Sequence, residues 1–108
     1  MDSLEITRDM LLLLEQKSGD TVPSVSLNDL VERYWDKCEY ADLFDLLAIH
    51  QRMEHITVYP SNIGVRVKIT DRGSRFLDGC RDEKRFELIK DVRNKLAQLI
   101  RGEQNGNR

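Results

Sequence analysis

Apolar and polar positions change period repeatedly along this chain, and each change marks an element. Ile6, Met10, Leu13, Leu14 and Lys17 recur at helical spacing, which predicts an amphipathic helix over residues 3–17. Leu4, Leu11 and Leu12 widen its stripe. Asp2 with Glu5 three residues on is a helix start, and Ser18-Gly19-Asp20 a stop. Ser26 and Asp29 open a second helix whose apolar face is Leu27, Leu30, Val31 and Tyr34. A third helix is expected from about Glu39 to Glu54. Leu43, Phe44, Leu47 and either His50 or Gln51 would face inward, and Asp42, Asp45, Ile49 and Arg52 outward.

The period then drops to two. Ile56 and Val58, then Val65, Val67 and Ile69, share one side of a hairpin that turns around Asn62 and Gly64. Arg66 and Lys68 fall on the other side, with Tyr59. Thr70 or Asp71 caps a further turn of helix docked by Phe76 and Leu77. A last helix is expected over 81–101, with Phe86, Ile89, Val92, Leu96, Leu99 and Ile100 recurring every third or fourth position. The expected division is a domain over 1–80, a C-terminal helix over 81–102 and a flexible polar tail over 103–108.

This order of three helices, a hairpin and a further helix resembles the winged helix-turn-helix superfamily, and residues 46–77 carry the resemblance. Their third helix, small strand and hairpin are followed by a Thr-x-x-Gly-x-x-Phe-Leu segment, here Thr70, Gly73, Phe76 and Leu77. The chain is also similar to small prophage winged-helix proteins of unknown function. These begin with an Arg-Asp-Met helix, here Arg8-Asp9-Met10. They end as this chain does at Phe76-Leu77-Asp78 and Arg81-Asp82, with Phe86 where Trp is usual. The resemblance implies a mainly α fold with a small β-hairpin (α+β). Together with the basic residues of the hairpin, that fold leads to the expectation of a small DNA-binding transcriptional regulator of phage or mobile-element type, binding through its wing as a dimer.

Composition bounds the rest. A chain of 108 residues, 40% hydrophobic and 33% charged, reads as one ordinary globular domain. Residues 1–59 hold 5 Lys and Arg against 12 Asp and Glu, whereas residues 60–108 hold 12 against 7. Such asymmetry suggests a charged partner or head-to-tail self-association. No basic leader precedes an apolar run, and Met10–Leu14 is too short to span a bilayer. Free Cys38 and Cys80 in a reducing cytoplasm are therefore expected.

The candidate DNA contacts are Arg66, Lys68, Arg72 and Arg75 on phosphates or in the minor groove, with Tyr59 beside them and Gln51 and Arg52 reaching bases. A solvated strand face would carry the same residues. Against base reading, the third helix leads with Glu39, Asp42 and Asp45, which phosphates repel. The alternative is a protein-interaction module, an adaptor or inhibitor, in which the acidic face of the second and third helices, with these three acids, meets a basic partner. The terminal stripe Phe86, Ile89, Val92, Leu96, Leu99 and Ile100 suggests a homodimer, unless the whole stripe packs on the first helix. No phosphate loop, nucleophile elbow or zinc motif appears, so neither an enzyme nor a cofactor is expected. His50 and His55, five apart, do not share a helix face, and no metal is expected.

Overall fold

The structure, a computed structural model, describes the backbone of residues 1–106 and the side chains of residues 1–102. The elements run α1 (Ser3–Lys17), β1 (Val25–Ser26), α2 (Leu27–Tyr34), α3 (Tyr40–Arg52), β2 (Ile56–Ser61), β3 (Gly64–Ile69), α4 (Asp71–Arg81) and α5 (Glu83–Gly106). The chain is mainly helical with a three-stranded antiparallel sheet, the α+β class expected. It divides into two units, Met1–Asp78 and Gly79–Arg108. Among the described residues no helix is long and apolar enough to cross a membrane.

In the first unit, α1 starts where the sequence places it. The Asp2 carboxylate accepts from the Glu5 amide at 2.9 Å, and Glu5 accepts in return from the Asp2 amide. Two otherwise orphaned donors are satisfied together. The buried face of α1 is Leu4, Ile6, Thr7, Met10, Leu11 and Leu14. Leu11, expected only to widen the stripe, is fully buried, whereas Leu13 is half-buried and Lys17 lies in solvent. Leu4, Thr7, Leu11 and Leu14 make a 3-4-3 seam, and a polar Thr7 within it conceals that seam from a hydrophobicity count.

The extended stretch before α2 is a strand. Val25 pairs with Val67 and Ser26 with Arg66, giving the sheet order β1-β3-β2. Ile56 pairs with Ile69, Val58 with Val67 and Tyr59 with Arg66, so Ile56, Val58, Val67 and Ile69 face inward as the alternation requires, whereas Val65, expected with them, is 41% exposed beside the turn. The hairpin turn is only Asn62-Ile63. Pro60 still lies in β2, and Gly64 closes the turn at φ +102°, where a side chain would be strained. Helices α1 and α2 both contact β3, and α3 contacts β2.

One expectation is corrected in α3. Its buried face is Leu43, Leu46, Leu47 and His50. Phe44, placed inward by the sequence, is 47% exposed. The i, i+3, i+4, i+7 set starting at Leu43 fills the inner face, and Phe44 lies about 100° round from Leu43. Gln51 is exposed. The segment at Thr70 is also more than a turn: α4 runs for 11 residues.

Chain reversal between α3 and β2 is tight. Glu54 takes a left-handed conformation (φ 63°), and the His55 amide donates to the His50 carbonyl at 2.8 Å. The His55 carbonyl then accepts from the Thr70 amide at 3.1 Å. Thr70 caps α4, its Oγ1 accepting from the Gly73 amide at 2.9 Å and donating to the Glu54 carbonyl. A Cβ on Gly73 would lie 2.0 Å from the His55 carbonyl oxygen. The Thr-x-x-Gly spacing is thus a packing requirement.

The second unit carries α5, which continues to Gly106, beyond the residue 101 expected. The polar tail is therefore helical as far as Gly106, and positions 107 and 108 lie outside the described residues.

Gly73→Ala must push α4 off the His55 backbone, just before β2. It should destabilise the protein by about 2–3 kcal/mol, as overpacking against an unyielding neighbour does. Urea unfolding checks this, and a midpoint equal to wild type would refute the close approach.

Candidate functional site

The basic group expected on the hairpin does not form one cluster. Tyr59, Arg66 and Lys68 do share the outer face of the sheet, as the strand register dictates. Arg66 is engaged within the fold, however. Its Nε donates to Ser24 Oγ at 3.0 Å and its Nη2 to the Ser24 carbonyl at 2.7 Å. Those bonds hold the loop before β1 against β3. Lys68 Nζ lies 5.5 Å over the Tyr59 ring, a cation–π contact at an exposed position. Arg72 pairs with Glu54 at 3.5 Å, and both are exposed. Arg75, Gln51 and Arg52 are exposed as well.

Helix α3 presents a different surface. Its outer face begins with an aromatic cluster. Trp35, just after α2, meets Tyr40 edge-on at 5.1 Å, and Tyr40 stacks on Phe44 at 6.4 Å. Trp35 is 65% exposed, and Tyr40 and Phe44 are each 47% exposed. Further along lie exposed Ile49 and Met53, with the small Ala41 and Ala48 between. Shallow depressions lie at the two ends, one lined by Trp35, Cys38, Glu39 and Tyr40, the other by Ala48, Ile49, Arg52 and Met53. Asp36, Glu39, Asp42 and Asp45 stand exposed around the aromatic end.

The acids Glu39, Asp42 and Asp45 are thus where the sequence put them, but the aromatic patch they border was missed. Trp35 reads as a turn residue and Phe44 as core. The available signal was a second stripe, Tyr40, Phe44 and Ala48 at four-residue spacing. Magnitudes separate the two surfaces. Fully burying an aromatic side chain contributes about 1.5–3 kcal/mol, whereas an exposed ion pair adds about 1 kcal/mol at most. The α3 face therefore has more to gain from a partner than the hairpin does. Contiguous apolar surface rimmed by polar groups marks interaction sites.

Two polar clusters tie neighbouring elements together, the first half-buried and the second buried. Asp9 accepts from Tyr34 Oη at 2.6 Å and from Arg33 Nε at 3.1 Å, tying α1 to α2. Burial alone would raise the Asp9 pKa, but the hydrogen bonds from Tyr34 and Arg33 outweigh it and hold the carboxyl below its ordinary range. Burial, reinforced by the Asp9 carboxylate, pushes the Tyr34 hydroxyl upward. Burial and then the nearby Asp42 carboxylate likewise raise the Cys38 thiol, which disfavours a nucleophilic thiolate.

The second cluster overturns a spacing argument. His50 and His55 do meet, Nδ1 to Nδ1 at 2.9 Å, and both are buried. The i, i+4 rule holds only within a helix, and α3 ends before His55. Phe76 stacks on His55 at 4.5 Å and meets His50 edge-on at 5.7 Å. Thr7 Oγ1 donates to the Ser3 carbonyl, so toward His50 Nε2, 3.4 Å away, it can only accept. That assigns a proton to His50 Nε2, leaving its Nδ1 to accept from His55 Nδ1–H. Among the described residues no three His, Cys, Asp or Glu side chains gather as a metal ion would require.

On the comparisons with known proteins, no protein-family model, no curated protein and no solved structure matches the chain.

Burial, followed by the Arg72 charge, lowers the His55 pKa below 6.5. The unfolded chain then binds more protons than the fold does below that pH. This contribution is complete above about pH 6.5 and is lost as pH falls through the folded value. The urea midpoint should drop between pH 7 and pH 5, and drop less in His55→Gln. An identical pH dependence in the two proteins would exclude His55 as the titrating group.

Proposed function

We propose that residues 1–78 form a winged-helix module that binds a protein partner through the outer face of α3, without catalysis. The partner presents a segment that is both apolar and basic. The element order and the sheet order β1-β3-β2 support the winged-helix reading. One observation carries the functional reading: the Trp35–Tyr40–Phe44 cluster, about half exposed and bordered by Asp36, Glu39, Asp42 and Asp45. Aromatic anchors within a charged rim are the usual composition of a binding centre. The same acids oppose entry of this helix into a groove lined by phosphates.

Trp35 is the chain's one tryptophan, so its emission reports on this face directly. Titration with a synthetic Lys/Leu amphipathic peptide should shift the emission to the blue. Asp42→Lys/Asp45→Lys should weaken binding about tenfold or more, since reversed charges then repel the peptide. Equal affinity for wild type and variant would sink this reading.

A second reading is a small DNA-binding regulator that contacts phosphates through its hairpin. It is favoured by exposed Lys68 beside Tyr59, and by exposed Arg75. Gln51 and Arg52 would then be the base-reaching residues, and a dimer through α5 would set two modules on one duplex. Anisotropy titration with random duplex DNA should show affinity that falls steeply with salt. Lys68→Glu/Arg75→Glu should remove it. Absence of binding at low salt would eliminate this reading.

A further inference from the structure

Helix α5 has the chemistry that the α3 face calls for. Leu88, Val92, Leu96, Leu99 and Ile100 are 49–69% exposed. Phe86 is buried and Ile89 half-buried, which removes Phe86 from the set expected to meet a partner. Cations border what remains. Residues 83–101 contain six Lys and Arg against three Asp and Glu, with no acid after Asp91. By contrast, residues 35–48 contain four acids and one Lys. The exposed stripe from Leu88 to Ile100 is about 18 Å long, and the outer face of α3 from Tyr40 to Arg52 is also about 18 Å long. Ala41 and Ala48 leave low positions before and after Phe44 along the helix, into which the leucines of a crossing helix can seat.

Resting on the reading of α3 as a binding face, we infer that its partner is α5 of a second copy of this chain. The contact is heterologous: the apolar, basic stripe of one copy lies on the aromatic, acidic face of the other. Pairing of α5 with α5 is the weaker alternative. The seam Ile89, Val92, Leu96 and Leu99 spans only about two heptads, short of the three to four that sustain a coiled coil. Arg93 and Lys95 flank that seam, so self-pairing crowds like charges. Glu87 and Asp91 project from the opposite side of the helix, where Glu87 is already paired with Lys90 at 3.9 Å.

Sedimentation velocity with parallel Trp35 emission tests this on the full chain. Wild type should associate as concentration rises, with a blue shift. Asp42→Lys/Asp45→Lys has an altered face and an intact α5. Arg93→Glu/Lys95→Glu has the reverse. Each alone should sediment as a 12.6 kDa monomer. Mixed in equal amounts, they should associate again, because α5 of the first meets the α3 face of the second and the two reversed surfaces are once more opposite in charge, and that rescue also shows both variants are folded. If Asp42→Lys/Asp45→Lys stays associated while Leu96→Asp dissociates, α5 pairs with itself and the inference is overturned. A wild type that is monomeric throughout, with unchanged emission, also overturns it. The Lys/Leu peptide titration then decides separately whether the α3 face binds basic segments at all.

Discussion

The carbonyl oxygen of His55 is the point on which the first unit depends. It accepts from the Thr70 amide, and Gly73 lies directly against it. Three elements are therefore fixed at one atom: the end of α3, the start of β2 and the first turn of α4. Only glycine permits the approach, because any Cβ would occupy the space of the oxygen. The left-handed Glu54 completes the reversal, and the imidazoles of His50 and His55 close over it in a buried hydrogen bond under Phe76. A buried polar pair is costly unless satisfied. Here Thr7 and the two rings satisfy one another, so the cluster specifies how α1, α3 and α4 meet.

Fixing α3 in this way decides what it shows to solvent. Leu43, Leu46, Leu47 and His50 turn inward, so Tyr40, Phe44, Ala48 and Ile49 turn out. On the proposed reading, that aromatic surface amid acids suits an apolar, basic segment better than a polyanion. The hairpin changes in the opposite sense. Arg66, which looks like a ligand contact in the sequence, is a structural bolt between β3 and Ser24. The electrostatic case for DNA thereby loses its central cation, and the case for a protein partner gains its anchor residues.

The second unit answers the first in charge and in pattern. The acidic front and basic back of the sequence become an acidic, aromatic helix face and a basic, leucine-rich helix. Head-to-tail pairing of copies would cover both at once, whereas pairing of like helices would leave the α3 face wet and bring cations together.

Much of this protein is written in local pattern. The capping pair at Asp2 and Glu5, the period-two alternation through the hairpin, and the charge asymmetry are legible because each depends on neighbours in sequence. The acids Glu39, Asp42 and Asp45 are legible as exposed for the same reason. Packing decided the remainder. Which of Leu11 and Leu13 is core, whether Phe44 points in or out, and why position 73 is glycine all depend on what another element places opposite. The meeting of His50 and His55 depends on a chain reversal that helical spacing does not describe. The engagement of Arg66 depends on a two-residue strand too short to announce itself. Periodicity in a sequence fixes the phase of an element about its own axis, and only the neighbouring elements determine which part of that circumference is left to meet a partner.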